Sequence, residues 1–404
     1  METYLVGGAV RDDLLGKPVI DRDYVVVGAT PQEMVALGFR QVGADFPVFL
    51  HPETHCEYAL ARTERKTAPG YRGFVVHADP SVTLDQDLCR RDLTINAMAR
   101  APDGTLIDPF AGLADLRAGV LRHVSAAFAE DPVRILRVAR FAARFGFTVA
   151  PETQELMRAM VAAGEADALV PERVFTELDR ALVEPYPWLF IEVLRACGAL
   201  RAQFPELDRL FGIPQPLKHH PEIDTGEHIL LALRAAQALG LNASGRFAVL
   251  LHDLGKGETP PSEWPSHRGH ELRGVALVDR VCARLRAPNE YAALARQVAR
   301  YHLQVHTALI LRPQTVVRLI EAVDGFRRPE RFREFILACM ADARGRLGLE
   351  NEPYPQAEWL LGARDVAAGV SARGWAQEGL SGPQIQARLR AERERLIAGL
   401  EKPS

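Results

Sequence analysis

Short runs of β-branched and aromatic residues punctuate the first 110 or so positions: Tyr4–Val6, Tyr24–Val27, Pro47–Leu50, Cys56–Ala61 and Leu106–Ile107. They alternate with turns and helix-like stretches such as Ala9–Leu15, which predicts an α/β head. From about Asp115 to Leu200 the apolar positions change to a helical period, as in Asp131–Phe145, Pro151–Ala163 and Pro171–Leu182. Pro205, Pro214, Pro216 and Pro221 then break that period and mark a connection. Residues 223 to 345 read as helical again. The tail after Gly345 ends in a charged stretch, Ser381–Leu400, whose alternating Arg and Glu predict a solvated helix. The chain thus divides into a head (1–115), a helical neck and body (116–204), a proline-rich connection (205–222), a second helical domain (223–345) and a helical tail (346–404), without internal repeats.

Composition narrows the class. With 404 residues, 48% hydrophobic and 25% charged, the chain has material for several globular domains and is neither disordered nor fibrous. Its 49 basic and 52 acidic side chains nearly balance, so any affinity for nucleic acid must come from a local basic face. The five cysteines are scattered without a Cys-x-x-Cys pair and read as reduced packing residues. Met1 leads straight into a strand without the pattern of a secretory signal, and no apolar run reaches the roughly 18 residues of a membrane helix. A cytoplasmic enzyme with no membrane partner is the expectation.

Candidate chemistry begins at Gly7-Gly8, between a strand and a helix-like segment. Such a pair forms either a tight turn or a close approach to phosphate, since glycine lets backbone amides reach an anion. Arg11 follows one turn later. Asp21 and Asp23 flank Arg22 ahead of Tyr24–Val27, and a two-residue strand period would aim both carboxylates out of one sheet face, where they would share divalent cations. Glu57, in another strand-like run, is either a third carboxylate near those metals or an exposed strand residue.

The helix that Asp131-Pro132 opens gathers Arg134, Arg137, Arg140 and Arg144 on one arc, opposite Ile135, Val138, Ala139, Ala142 and Phe145. That face is either a solvated stripe or a wall against phosphates. In the second helical domain, His252-Asp253 interrupts the apolar run Phe247–Leu251. A His-Asp pair buried there needs a partner, and a metal would serve.

Several blocks in order carry a resemblance. Gly7-Gly-Ala-Val-Arg-Asp-Asp-Leu-Leu-Gly16 with Asp21-Arg-Asp23, Arg90-Arg-Asp-Leu-Thr-Ile-Asn-Ala-Met98, Leu106–Leu116, Glu130-Asp-Pro-Val-Arg134 and Pro171-Glu-Arg-Val174 resemble the class II tRNA nucleotidyltransferase and poly(A) polymerase family. The resemblance implies a polymerase β-like palm in a multidomain protein whose remaining domains are all-α. It implies that Gly8, Arg11, Arg91, Arg137 and Arg140 contact an incoming nucleotide and that Asp21 and Asp23 bind Mg2+. It also implies that Asp131 and Arg134 read the base, although Asp131 serves equally well as a helix cap. A carboxylate and a guanidinium together match the edges of cytosine and adenine and repel those of uracil and guanine.

His228, His252-Asp253, His302 and Asp342 follow the order of the HD phosphohydrolase superfamily. By that resemblance His228, His252, Asp253 and Asp342 are metal ligands and His302 a further candidate. His267 and His270 either bind substrate or decorate a loop. Mixed imidazole and carboxylate ligands suit Ni2+ or another transition metal better than Mg2+. The combined resemblance implies template-independent addition and repair of the 3′-terminal CCA of tRNA from CTP and ATP, plus phosphatase, 2′-nucleotidase and 2′,3′-cyclic phosphodiesterase activity, in a monomer or homodimer. The rival readings are a poly(A) polymerase, an HD phosphohydrolase whose head only binds RNA, and a helical domain that merely clamps tRNA.

Overall fold

The computed structural model describes residues 1–42, 48–66, 74–218, 220–373, 375 and 380–403; for 64–66 and 74–77 only the backbone is considered. Pro47, assigned above to a strand, lies outside the described residues. The chain forms two compact units, 1–177 with 192–203, and 178–191 with 204–404.

The first unit is built on strands β1 (Glu2–Val6), β2 (Asp23–Val27), β3 (Arg40–Val42), β4 (Val48–Leu50), β5 (Glu57–Leu60), β6 (Thr63–Lys66), β7 (Phe74–His77), β8 (Ala99–Arg100) and β9 (Leu106–Ile107). Seven of them make a sheet of order β3-β4-β5-β2-β1-β8-β9, while β6 and β7 pair separately. Sequence reading missed β3, β6, β7 and β8: Arg40-Gln-Val and Thr63-Glu-Arg-Lys look polar and β8 is only two residues long, whereas Phe74-Val-Val carried a strand signal that was overlooked.

β2 is the central strand, antiparallel to β1 and parallel to β5. Its consecutive valines face opposite ways, as a pleated strand requires. Val25 packs with Val6, Leu88 and Ala97, whereas Val26 packs with Met34, Phe49 and Leu60. Both faces are therefore buried, and β2 is held at the centre of the unit with its leading residue, Asp23, exposed at the end.

Helix Val133–Phe145 follows the head, capped by Asp131, whose Oδ1 accepts from Val133 N at 3.0 Å, and closed by Gly146 at φ 71°. Helix Pro151–Ala162 comes next, with proline at its first turn.

The second unit is helical among its described residues: Thr225–Ala238 carries His228, Ala243–Leu251 leads directly into His252, His270–Leu285 carries His270, Asn289–His306 carries His302 and His306, and Pro329–Arg344 carries Asp342. The last helix, Gly382–Ala398, is largely exposed as expected, with Ile397 buried and Arg390 paired to Glu321 at 2.7 Å. Gly255, in the turn after Asp253, lies against the start of helix His270–Leu285 so closely that a Cβ would overlap the His270 carbonyl oxygen. This approach brings Asp253 beside His270. Gly255→Ala is expected to lower stability by about 1–3 kcal/mol through overpacking against backbone, read as a shifted denaturant midpoint; an unchanged midpoint contradicts the packing account.

Candidate functional sites

Two sites emerge, one in each unit. In the first, the β1–β2 ladder ends at the Val6–Asp23 pair, beyond which the chain turns at Gly7 with φ 67° and ψ −125° into helix Gly8–Leu14. That backbone conformation suits glycine alone, and a Cβ would also stand 2.7 Å from Arg91 Nη1. Asp23 is paired in register with Glu57 across the parallel β2–β5 ladder. Asp21 precedes β2, which begins at Asp23, so no ladder pairing extends to it. It nevertheless lines the same cleft of about 730 Å³ as Gly8, Asp23 and Glu57. Partial burial raises the Asp23 pKa, with Arg91 opposing and Asp21 reinforcing.

The arginines of this cleft are held by acids. Arg137 Nε donates to Asp92 Oδ2 at 2.7 Å, Arg140 Nε to Glu177 Oε2 at 2.6 Å, and Arg144 Nη2 to Asp12 Oδ2 at 2.9 Å. Arg91 pairs at 3.2 Å with Asp87, which is fully buried. Arg11, 4% exposed, donates to Asp12 and to Asn96 Oδ1 and lies over the rings of Phe141 and Phe145. Burial lowers its pKa, opposed by Asp12. The stripe on Val133–Phe145 is consequently not a solvated surface, because Arg134, Arg137, Arg140 and Arg144 all line the cleft. Asp131 both caps its helix and pairs with Arg173 at 3.2 Å, while Arg134 donates to the carbonyls of Ala127 and Arg90.

Every nucleotide-site residue singled out in the sequence, Gly8, Arg11, Asp21, Asp23, Arg91, Asp131, Arg134, Arg137 and Arg140, lines this cleft. Sequence reading missed Asp92, Asn96, Asp12 and Glu177, the residues behind the arginines. Asp92 and Asn96 lay within the quoted arginine-rich block, but nothing in their spacing distinguished support from contact.

In the second unit, His228, His252, Asp253 and Asp342 converge from separate segments and are all buried. His228 Nε2 lies 3.1 Å from Asp342 Oδ1, and His252 Nε2 lies 3.3 Å from Asp253 Oδ2 and 3.5 Å from Asp342 Oδ1. His252 Nε2 and Asp253 Oδ1 make no hydrogen bond despite their burial. Orphaned polar atoms inside a nitrogen and oxygen cage fit a cation. Burial alone would lower the His252 pKa, but Asp253 and Asp342 overcome it and push it up to about 10. Burial drives His302 down to about 3, more than the same carboxylates restore.

His302 and His270 stand on the other side of Asp253, within 3.8 and 3.3 Å of its Oδ1. His270 is thus part of the buried cluster, not of a loop. His267 is not: its Nε2 donates to the Pro214 carbonyl at 2.7 Å. Sequence reading gave no role to Lys256, 2.5 Å from Asp253 Oδ2, and counted His306, 2.7 Å from Asp342 Oδ2, only among the clustered histidines that invite a metal reading, although both sit about one turn from a chosen residue. Glu222, 3.1 Å from His228 Nδ1, carried no signal. A cleft of about 680 Å³ opens over the cluster, with Lys256, Arg268, Arg346 and Tyr354 in its lining. Among the described residues, groups of three or more converged metal-ligating side chains occur only in this unit.

Comparison with known proteins matches three stretches of the chain. Residues 3–122 match the poly A polymerase head domain, 146–211 the family described as the probable RNA and SrmB-binding site of polymerase A, and 225–342 the HD domain. A multifunctional CCA protein of Nitrosococcus oceani is 64% identical over 397 residues, covering 98% of each chain. That of Thioalkalivibrio sulfidiphilus is also 64% identical, covering 99% of each. Among solved structures, the Thermotoga maritima CCA-adding enzyme complexed with tRNA has a TM-score of 0.65 at 22% identity, over 100% of this chain and 88% of that one. The Bacillus stearothermophilus CCA-adding enzyme in complex with CTP has a TM-score of 0.63 at 23% identity, over 99% and 90%. At those identities the likeness concerns the fold.

Asp92 yields a pH prediction. Burial opposes its ionisation, but Arg137 and Asn96 more than compensate and lower its pKa from 3.8 to about 2. A depressed folded-state pKa stabilises above the unfolded value and is lost as pH falls through the folded one. Between neutral pH and pH 2 the protein is expected to lose about 2 kcal/mol that Asp92→Asn does not lose. Parallel pH profiles of unfolding free energy for both proteins would contradict this.

Proposed function

Because the chain belongs to the multifunctional CCA protein family, nucleotidyltransferases with an attached HD phosphohydrolase domain, we propose that its first cleft adds and repairs the 3′-terminal CCA of tRNA with CTP and ATP. The observation that carries this reading is that Asp21 and Asp23 share one cleft with acid-braced arginines. In the proposed reaction the tRNA 3′-hydroxyl attacks the α-phosphate of the nucleotide, a new phosphodiester bond forms, and pyrophosphate leaves. Arg91, Arg137 and Arg140 orient the triphosphate, and their positive charge meets the charge that builds on the leaving group. Gly8 lets the backbone approach, and Arg11 fixes the wall through Asp12 and Asn96. Asp131 and Arg134 select the base by presenting an acceptor beside donors.

Both domains imply divalent metals. Asp21 and Asp23 offer the exposed hard oxygens that Mg2+ prefers, and bound Mg2+ supplies activation of the hydroxyl and charge stabilisation. His228, His252, Asp253 and Asp342 would hold Ni2+ or another transition metal, which supplies an activated water for phosphate-ester hydrolysis. We assign phosphatase, 2′-nucleotidase and 2′,3′-cyclic phosphodiesterase activity to that centre. Lys256, Arg268 and Arg346 give its cleft the positive charge a phosphate ester needs. No helix among the described residues is long and apolar enough to cross a membrane, and we place the enzyme in the cytoplasm.

The two chemistries are expected to separate by mutation. Asp21→Asn with Asp23→Asn should reduce incorporation of labelled CTP and ATP into tRNA lacking CCA by about a thousandfold, as expected for losing several kcal/mol of metal stabilisation. Hydrolysis of 2′,3′-cyclic AMP should persist in that protein, while His252→Ala should show the opposite pattern. Unchanged incorporation rejects the transferase assignment, and unchanged hydrolysis in His252→Ala rejects the second. Given ATP alone and a tRNA ending in CC, the enzyme should add one adenylate; long tails would indicate a poly(A) polymerase.

A further inference from the structure

Asp87, on the short helix Leu84–Cys89, is fully buried and does not line the nucleotide cleft. Its two oxygens divide their partners. Oδ1 accepts from Arg90 Nη2 at 2.7 Å, from Arg90 Nε at 3.1 Å and from the Arg62 amide at 3.4 Å. Arg90 Nε also donates to the Arg62 carbonyl at 3.0 Å, so the carboxylate is locked in orientation against the turn that follows β5. Oδ2 is left for Arg91, whose Nη2 donates to it at 3.2 Å. Burial alone would raise the Asp87 pKa, but Arg90 and Arg91 bring it below the usual carboxylate value, so the hook keeps its charge.

Arg91 stands between two acids. β1 ends at Val6, in register with Asp23, and Arg91 Nη1 lies against the Gly7 turn that follows, 2.7 Å from the place a Cβ would take. Arg91 and Asp23 line the same cleft, and Arg91 favours the charged form of Asp23 against the effects of burial and of Asp21. Its ion pair is nevertheless with Asp87. A guanidinium released from Asp87 at this point would be drawn to the exposed Asp23 carboxylate. That pairing would cover oxygens a hard cation needs and turn a donor away from the triphosphate.

We propose that Asp87 is a positioning residue for nucleotide transfer: it holds Arg91 toward the triphosphate and off Asp23, so that the Asp23 carboxylate stays open to Mg2+. The proposal rests on reading the cleft as a metal-dependent nucleotidyltransferase. Asp87 lies too deep to meet nucleotide or metal and acts through Arg91. An uncharged amide in its place could still accept from Arg90, but it would hold Arg91 less strongly than Asp23 attracts it.

CTP addition to tRNA lacking CCA, measured across Mg2+ concentrations, tests this. Asp87→Asn should raise the Mg2+ concentration for half-maximal rate about tenfold, with most of the lost rate recovered at saturating Mg2+. In an Arg91→Gln background the same change should leave the Mg2+ requirement where Arg91→Gln alone puts it, because the competing charge is gone. An unshifted requirement in Asp87→Asn overturns the proposal. An equal shift in the Arg91→Gln background also overturns it, since Asp87 would then act by packing alone. Crystals give a readout independent of turnover. Without divalent metal, Arg91 should stay on Asp87 in the unmodified chain and lie on Asp23 in Asp87→Asn. Arg91 lying on Asp23 in the unmodified chain overturns the proposal even if Asp87→Asn does not fold. Absence of CTP addition by the unmodified chain at every Mg2+ concentration overturns the transferase reading and the proposal with it.

Discussion

Arginines gathered on the wall of one cleft repel each other, and partial burial strengthens the repulsion by removing solvent. The first unit resolves this by placing carboxylates against most of these arginines. Asp92 serves Arg137, Glu177 serves Arg140, Asp12 links Arg11 with Arg144, and Asp87 holds both Arg90 and Arg91. At Arg137, Arg140 and Arg144 the acid engages one edge of a guanidinium whose planar fork carries donors on its other edges. Phe141 adds a neutral support, with Arg11, Arg137 and Arg140 around its ring. Without these partners the wall would either disperse into solvent or shed affinity to its own repulsion.

The second unit meets the same problem with the signs reversed. Asp253 and Asp342 are buried beside rings whose Nδ1 protons go to main-chain carbonyls, so their negative charge must be balanced by protonated rings or by a cation. Lys256 places its ammonium on one oxygen of Asp253, and His306 Nε2 contacts one oxygen of Asp342. The remaining oxygens point inward, toward the imidazole lone pairs. Main-chain carbonyls fix the rings, which makes the ligand directions a property of the helices themselves. Gly255 contributes by letting the turn that carries Asp253 reach the helix that begins at His270.

The sequence revealed the contacts better than their supports. Periodicity located β2 and the helix Val133–Phe145, and the ordered blocks named the residues that line the first cleft, because those residues have chemistry that a motif preserves in view. The pleat argument does not reach Asp21, because β2 begins at Asp23: strand length depends on the partner β1, which ends where Gly7 turns away. Sequence reading could not find Asp12 or Glu177 as braces, since Glu177 lies 37 residues from Arg140 and Asp12 lies 132 from Arg144. Such pairings depend on tertiary approach and leave no local period. The polar strands β3 and β6 escaped for a related reason, as hydrogen-bonded neighbours rather than apolar propensity make them strands.

Near-neutral overall charge conceals both arrangements, because an arginine and its bracing acid cancel in any sum over composition. What separates the two sites chemically is the donor set. On the proposed reading, the exposed carboxylate oxygens of Asp21 and Asp23 would suit hard cations, whereas buried imidazoles favour first-row transition metals over Mg2+. A scarce transition metal would therefore partition to the histidine cluster, and abundant Mg2+ would serve the carboxylate pair. On this view the ligand types alone keep two metal-dependent chemistries from competing within one chain.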